Sequence, residues 1–231
     1  MVLLLQGFPT SSFQFRNLIP ALADRYHVIA PDYPGFGLSS VPDRAHVAYT
    51  FAHDATLMDD LTTQLNAKKY ALYLFDYGAP VGLRLALKHP DRVTAMIVQN
   101  GNAYAQGLDT FWNPMRVDLE SRYAGESREF NFLVTLKTTQ FQYLHGVANP
   151  SRIDPDTWIH DQQLLDRPGN RDIQLDLFHD YGSNVPLYPK FQAFFRAYHP
   201  PTLIVWGRTT SSSRPSERTR TCTICRTPSF T

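Results

Sequence analysis

Cysteine is nearly absent: among 231 residues only Cys222 and Cys225 occur, both close to the C-terminus. A body without cysteine excludes a disulfide-stapled fold and fits a reducing, cytoplasmic compartment. Charge imbalance is lacking too. A formal net charge of +1 gives no electrostatic reason to expect nucleic acid or an anionic membrane as partner. No apolar run approaches the roughly 20 residues of a membrane span. The short run Met1 to Leu5 has neither a basic flank nor a small-residue cleavage site, so no signal peptide is expected there. Cys222-Thr223-Ile224-Cys225 has no second Cys/His pair nearby, and neither a metal nor a cofactor is expected.

What is present is enough apolar material for a core. Hydrophobic residues make up 43% and aromatic residues 13%, which argues against a wholly disordered chain and suits one domain or a core with an insertion. Short apolar runs bounded by turn residues alternate with helical patterns, the signature of βα units around a mostly parallel sheet. The runs are Val2 to Leu5, Tyr26 to Ala30, Tyr70 to Phe75, Val93 to Val98 and Pro201 to Trp206. Helices are expected through Phe15–Ala23, from about Phe51 to Asn66, and through Leu83 and Leu87. The rhythm divides the chain into a core over 1–107, a helical insertion over 108–198, a core strand over 199–208 and a tail over 209–231. The insertion is read as a lid, with a separate small helical domain as the alternative. The tail, crowded with Ser, Thr, Arg and Cys and without either period, is expected to be disordered.

One turn carries chemistry. Phe75-Asp76-Tyr77-Gly78-Ala79-Pro80 joins a strand to a helix, and Gly78 and Ala79 are small enough to let the two approach. Such a turn lifts one side chain, Asp76, above the sheet at a helix N-terminus, where the dipole favours a carboxylate. Asp76 as a plain N-cap is the competing reading. A second feature speaks for chemistry: Gln6-Gly7-Phe8-Pro9 also follows a strand end. The backbone N–H groups of Phe8 and Tyr77 are candidates for a two-donor oxyanion hole. Both features lie at strand C-termini, where open α/β sheets place their sites.

These stretches resemble the epoxide hydrolase and haloalkane dehalogenase branch of the α/β-hydrolase superfamily. The resemblance rests on L-L-L-Q-G-F-P-T-S-S at Leu3 to Ser12, P-D-Y-P-G-F-G at Pro31 to Gly37 and F-D-Y-G-A-P at Phe75 to Pro80. Q-N-G-N-A-Y at Gln99 to Tyr104 and P-P-T-L-I-V-W-G at Pro200 to Gly207 extend it. It implies an α/β-hydrolase fold, a mostly parallel sheet flanked by helices with an inserted helical lid, incomplete at both ends. It also implies a small, largely apolar substrate that Asp76 attacks to form an alkyl-enzyme ester, which a His-activated water then hydrolyses. Dehalogenases of this branch place Trp after the nucleophile to cradle halide, whereas this chain has Tyr77. Epoxide hydrolases protonate the opening ring with lid tyrosines, for which Tyr143, Tyr181 and Tyr188 are the candidates. Gln6 stands where the family usually has His, and Leu74 is larger than the residue often found two before the nucleophile. An inactive relative that only binds a small apolar ligand is the remaining alternative.

The family continues after W-G with a catalytic acid and, later, a catalytic His. All eight histidines of this chain precede that point. Read one nucleotide earlier, suitable codons for Thr209 to Thr231 give a product that resembles the family continuation. A frameshift after Arg208 therefore accounts for the loss of pattern. Sequencing the gene across the Arg208 codon is expected to show that one added or lost nucleotide restores an open frame containing an acid and a histidine. If no such frame exists, the frameshift reading fails.

Overall fold

The computed structural model describes residues 1–108 and 128–206; the expected tail over 209–231 and part of the expected lid lie outside them. Five strands form one parallel sheet in the order β2-β1-β3-β4-β5, namely β1 (Val2–Leu5), β2 (Val28–Ile29), β3 (Tyr70–Phe75), β4 (Val93–Gln99) and β5 (Thr202–Val205). The expected strands all form, with β2 trimmed to two residues. The helices of the first half are α1 (Leu18–Ala23), α2 (Phe51–Gln64) and α3 (Gly78–Lys88).

Side chains on a strand alternate between the two faces, and β1 shows what that achieves here. Leu3 and Leu5 enter one buried cluster with α2 and α3, while Val2 and Leu4 enter another with Phe15, Leu18 and Ile19. Each fully buried Leu contributes roughly 1.5–3 kcal/mol, so a strand of only four residues is held from both sides. The register pairs Leu5 with Leu74 and Phe75 with Gln99. Strands β1, β3 and β4 therefore end along one edge of the sheet, and Gln6, Asp76 and Asn100 follow directly.

Between β4 and β5 the described residues form helices: α4 (Leu136–Leu144), α5 (Asp156–Leu165), α6 (Asn170–Asp180) and α7 (Tyr188–Tyr198). This insertion is tied to the core at several points. At the surface, Arg44 holds Asp176 with two hydrogen bonds of 2.6 Å. Deeper, the first N–H of α2, on Phe51, donates to Asp180 Oδ2 at 2.8 Å, beside the Thr50 side chain that accepts from His53 N. Arg84 on α3 donates to Asn184 Oδ1 at 2.6 Å. Orphan amides at a helix start need acceptors, and α2 takes one of them from the insertion.

Gly82 on α3 explains how the sheet accommodates Leu74. A Cβ at position 82 would lie 2.3 Å from Leu74 Cδ2, so the small residue sits on the helix rather than on the strand. Gly82→Ala is expected to destabilise the fold by about 1–3 kcal/mol through overpacking. In urea unfolding, its cost should be largely lost when Leu74→Ala is already present. A double-mutant cycle in which the two costs simply add contradicts this packing.

Candidate active site

Strand β3 is followed directly by a residue in a conformation that L-amino acids rarely adopt: Asp76 has φ of 48°. Asp is among the few non-glycine residues that visit this left-handed region, and such strain collects at functional sites. The turn is fixed from two sides. A Cβ at Gly78 would meet the Leu5 carbonyl oxygen at 2.2 Å, and one at Gly7 would meet the Asp76 side chain at 2.4 Å. Both positions must be glycine if β1, its following loop and α3 are to converge.

That convergence delivers the Phe8 N–H to Asp76 Oδ1 at 2.8 Å. The Tyr77 backbone N–H lies beside the carboxylate and, with that of Phe8, favours its ionised form. Burial pushes the Asp76 carboxyl up to about 6, against the downward pull of these two amides. Asp76 keeps some exposed surface, but its carboxylate is enclosed by protein. At neutral pH it is mostly ionised, weakly solvated and still has a second oxygen to offer an electrophile.

The enclosure is aromatic. The Tyr77 ring stands 4.9 Å from Phe51, 6.0 Å from Phe178, and 6.2 Å from both Phe8 and Tyr181, with Phe36 at 6.4 Å. These edge-on and tilted rings make an apolar wall beside the carboxylate. The structure therefore gathers Asp76, Phe8, Tyr77 and Tyr181. The other two candidate tyrosines have neighbours of their own. The Tyr143 hydroxyl donates to Asp161, whose carboxyl burial raises to about 7, in a cluster with Thr10 and Arg16. Tyr188 packs against Phe191 at 6.3 Å, near the Arg84 charge.

All eight histidines lie within the described residues, and the causes of the Asp76 shift, namely burial and the Phe8 and Tyr77 amides, include none of them. His89 binds Asp59, His160 packs on Phe13, His145 stacks on Phe141, and the charge of His179 acts on Asp180. Among the described residues no group of three His, Cys, Asp or Glu could hold a metal ion.

Two residues near the site are not singled out by the sequence as site residues. Tyr33, in the turn after β2, is fully buried, and the charges of Asp54 and Asp76 both act on its phenol. Asp54 lies on α2 in the buried stripe with Phe51, Ala55 and Met58. An acid on an apolar helical stripe is the signal that marks it. Gln6 is buried as well, and neither end of its amide has a hydrogen-bond partner.

Known proteins resemble the chain throughout. A protein of Saccharomyces cerevisiae named as an uncharacterised hydrolase is 44% identical over 212 residues, 89% of this chain and 72% of that protein. A cis-3-alkyl-4-alkyloxetan-2-one decarboxylase of Shewanella oneidensis is 26% identical over 89% of this chain, which spans 66% of that relative. Haloalkane dehalogenase 2 of Mycobacterium tuberculosis is 35% identical over 109 residues, 47% of this chain and 37% of its own length. Among solved structures, the haloalkane dehalogenase DbeA of Bradyrhizobium elkani superposes with a TM-score of 0.76 at 18% identity, covering 99% of this chain and 79% of its own. A variant of a protein provisionally described as an epoxide hydrolase, from Pseudomonas aeruginosa, gives a TM-score of 0.72 at 23% identity, covering 95% and 76%. These structural likenesses concern the fold. The family model described as "alpha/beta hydrolase fold" matches residues 1–222. Since that match takes in nearly the whole chain, the protein belongs to the α/β-hydrolase fold family.

Proposed function

We propose that Asp76 is the nucleophile of an epoxide-hydrolase-like reaction on a small, largely apolar substrate, and that this chain forms the covalent ester without turning it over. The observation that carries the reading is the Phe8 N–H held 2.8 Å from Asp76 Oδ1 on a strained strand-to-helix turn. One carboxylate oxygen is held by the Phe8 N–H, which leaves the other to attack a saturated carbon. A carboxylate needs no base for that step, so the reaction can start without histidine. In the resulting ester the fixed oxygen becomes the carbonyl oxygen, already placed in the two-amide hole that stabilises charge when water attacks. Water then needs a base, and no histidine is among the groups that shift the Asp76 carboxyl. The helical insertion serves as the lid, with Phe178 and Tyr181 closing the aromatic wall over the nucleophile.

Tyr77 in place of Trp favours an epoxide over a haloalkane. So does the Shewanella relative, whose named substrate is another strained oxygen ring. A dehalogenase-like reading keeps support from the likeness to dehalogenases. Intact-mass measurement separates the two. An epoxide such as styrene oxide adds its whole mass to Asp76, because the opened ring stays attached; 1-bromobutane adds only the butyl group. We expect one stoichiometric styrene oxide adduct, absent in Asp76→Asn, with no diol above the enzyme-free background. Multiple turnover contradicts the stalled ester, and tight binding of the apolar probe without any adduct selects an inactive binding protein.

The nucleophile must be ionised, so the rate of adduct formation at lower pH should rise through about 6. The same burial makes Asp76 a burden to the fold. A carboxyl raised from its unfolded value to about 6 removes stability as pH rises between the two, and the full loss is present above that window. Asp76→Asn, which retains the left-handed tolerance, should therefore gain urea resistance relative to the parent at pH 8 and not at pH 3.5. An equal difference at both pH values contradicts this account.

A further inference from the structure

Helices α2 and α3 leave a gap where they pack. A cavity of about 150 Å³ lies between them, lined by Ala52, Ala55 and Thr56 from α2 and by Arg84, Leu85 and Lys88 from α3. Positions three and four apart share one face of a helix, and three short side chains on that face of α2 make the room. The space is several times the roughly 10–15 Å³ that one water needs. None of the six lining residues is a candidate of the Asp76 site.

Two cations stand on its wall. The half-buried Arg84 donates from Nη1 to Pro80 O at 3.0 Å and to Asn184 Oδ1 at 2.6 Å, and from Nη2 to Ser183 Oγ at 3.3 Å. A guanidinium has five donors, so Nε–H and one Nη2 hydrogen keep no acceptor among the described residues. That edge is the one by which Arg44 grips Asp176, from Nε and Nη2 at 2.6 Å each. Arg84 has no such carboxylate: among the described residues it forms no ion pair, and the charges of Asp180 and Asp54 reach it only from farther off. Burial first, and the Asp180 charge second, push the Asp54 carboxyl up to about 8, so at neutral pH it is protonated and leaves the guanidinium charge uncancelled. Lys88 Nζ meets Asp59 at 2.6 Å, but that carboxylate also meets His89 Nε2 at 2.8 Å and Arg92 Nη1 at 3.6 Å. Asp59 therefore keeps partners when the exposed Lys88 side chain turns towards the cavity.

We propose that this cavity binds a doubly charged phosphoryl group, inorganic phosphate or a phosphate monoester, gripped by the free edge of Arg84 and neutralised by Lys88. A planar guanidinium edge matches two oxygens of such a group, and an ammonium adds a compact second charge. Two cations suit a dianion better than a carboxylate. The Thr56 hydroxyl gives its hydrogen to Ala52 O at 3.0 Å, so the two cations supply the donors by themselves. Asn184 and Ser183 belong to the insertion, and the guanidinium that holds them would also hold the anion. The site thus lies on the seam between the insertion and the core.

The test is thermal unfolding of the full chain near neutral pH, with phosphate, phenyl phosphate, acetate or chloride titrated at constant ionic strength. A ligand that binds only the folded chain raises Tm along a saturating curve. Phosphate should do so, acetate should act more weakly, and chloride should give no saturating rise. Saturation by phosphate alone supports the site with the free ion as its ligand, and saturation by phenyl phosphate as well supports a monoester. Arg84→Met should abolish the saturating rise. Lys88→Met should weaken the apparent affinity by about two- to fivefold, the scale of an exposed ion pair. Ala52→Leu fills the cavity while keeping both cations, and should weaken it by about tenfold or more. Ala52 is exposed and Leu is a good helix former, so this variant keeps the test decisive even if Arg84→Met fails to fold. A rise that chloride matches, or that Lys88→Met and Ala52→Leu leave unchanged, is an adventitious ion effect only and overturns the site. Acetate that binds as tightly as phosphate overturns the phosphoryl assignment.

Discussion

The site depends on one close approach. The loop after β1 and the turn after β3 must come near enough for the Phe8 amide to reach Asp76, and Gly7 and Gly78 are what allow it. Any side chain at Gly78 would strike the Leu5 carbonyl, part of the sheet backbone, which has no freedom to yield. Between these two glycines Asp76 adopts φ of 48°, a conformation that isolated chains avoid, so the strain at the proposed nucleophile lies where the sheet and its loops converge.

Around that contact the enclosure and the charge act against each other. Aromatic rings from four separate segments remove water from the carboxylate, which raises its affinity for protons. The two backbone amides restore part of its acidity. A carboxylate balanced in this way remains ionised at neutral pH and is poorly solvated, two properties that favour attack on carbon.

Much of this was legible in the residues, and the limits have physical causes. Strands β1 and β3 announce themselves because their apolar runs are continuous, β1 buried on both faces and β3 buried on one and half-buried on the other. The turn at Asp76 is legible because close packing demands small residues at Gly78 and Ala79. The aromatic enclosure is different in kind: Phe8, Phe36, Phe51, Phe178 and Tyr181 share no spacing and meet only after folding. Tyr143 and Tyr188 look equivalent to Tyr181 along the chain, yet one engages Asp161 and the other packs near Arg84. Leu74 looked oversized because the space it needs is supplied eight residues later by Gly82, on a different element.

The Asp180 carboxylate that accepts the first amide of α2 joins two parts of the molecule through a single hydrogen. Lifting α6 from the core breaks that bond and leaves the Phe51 N–H without its acceptor. Under the proposed lid role, the hydrogen on that nitrogen exchanges with solvent only as often as the insertion opens, so its replacement by deuterium is a clock for access to Asp76. Phe51 also touches the Tyr77 ring. The residue that times the opening is thus part of the wall that the opening exposes.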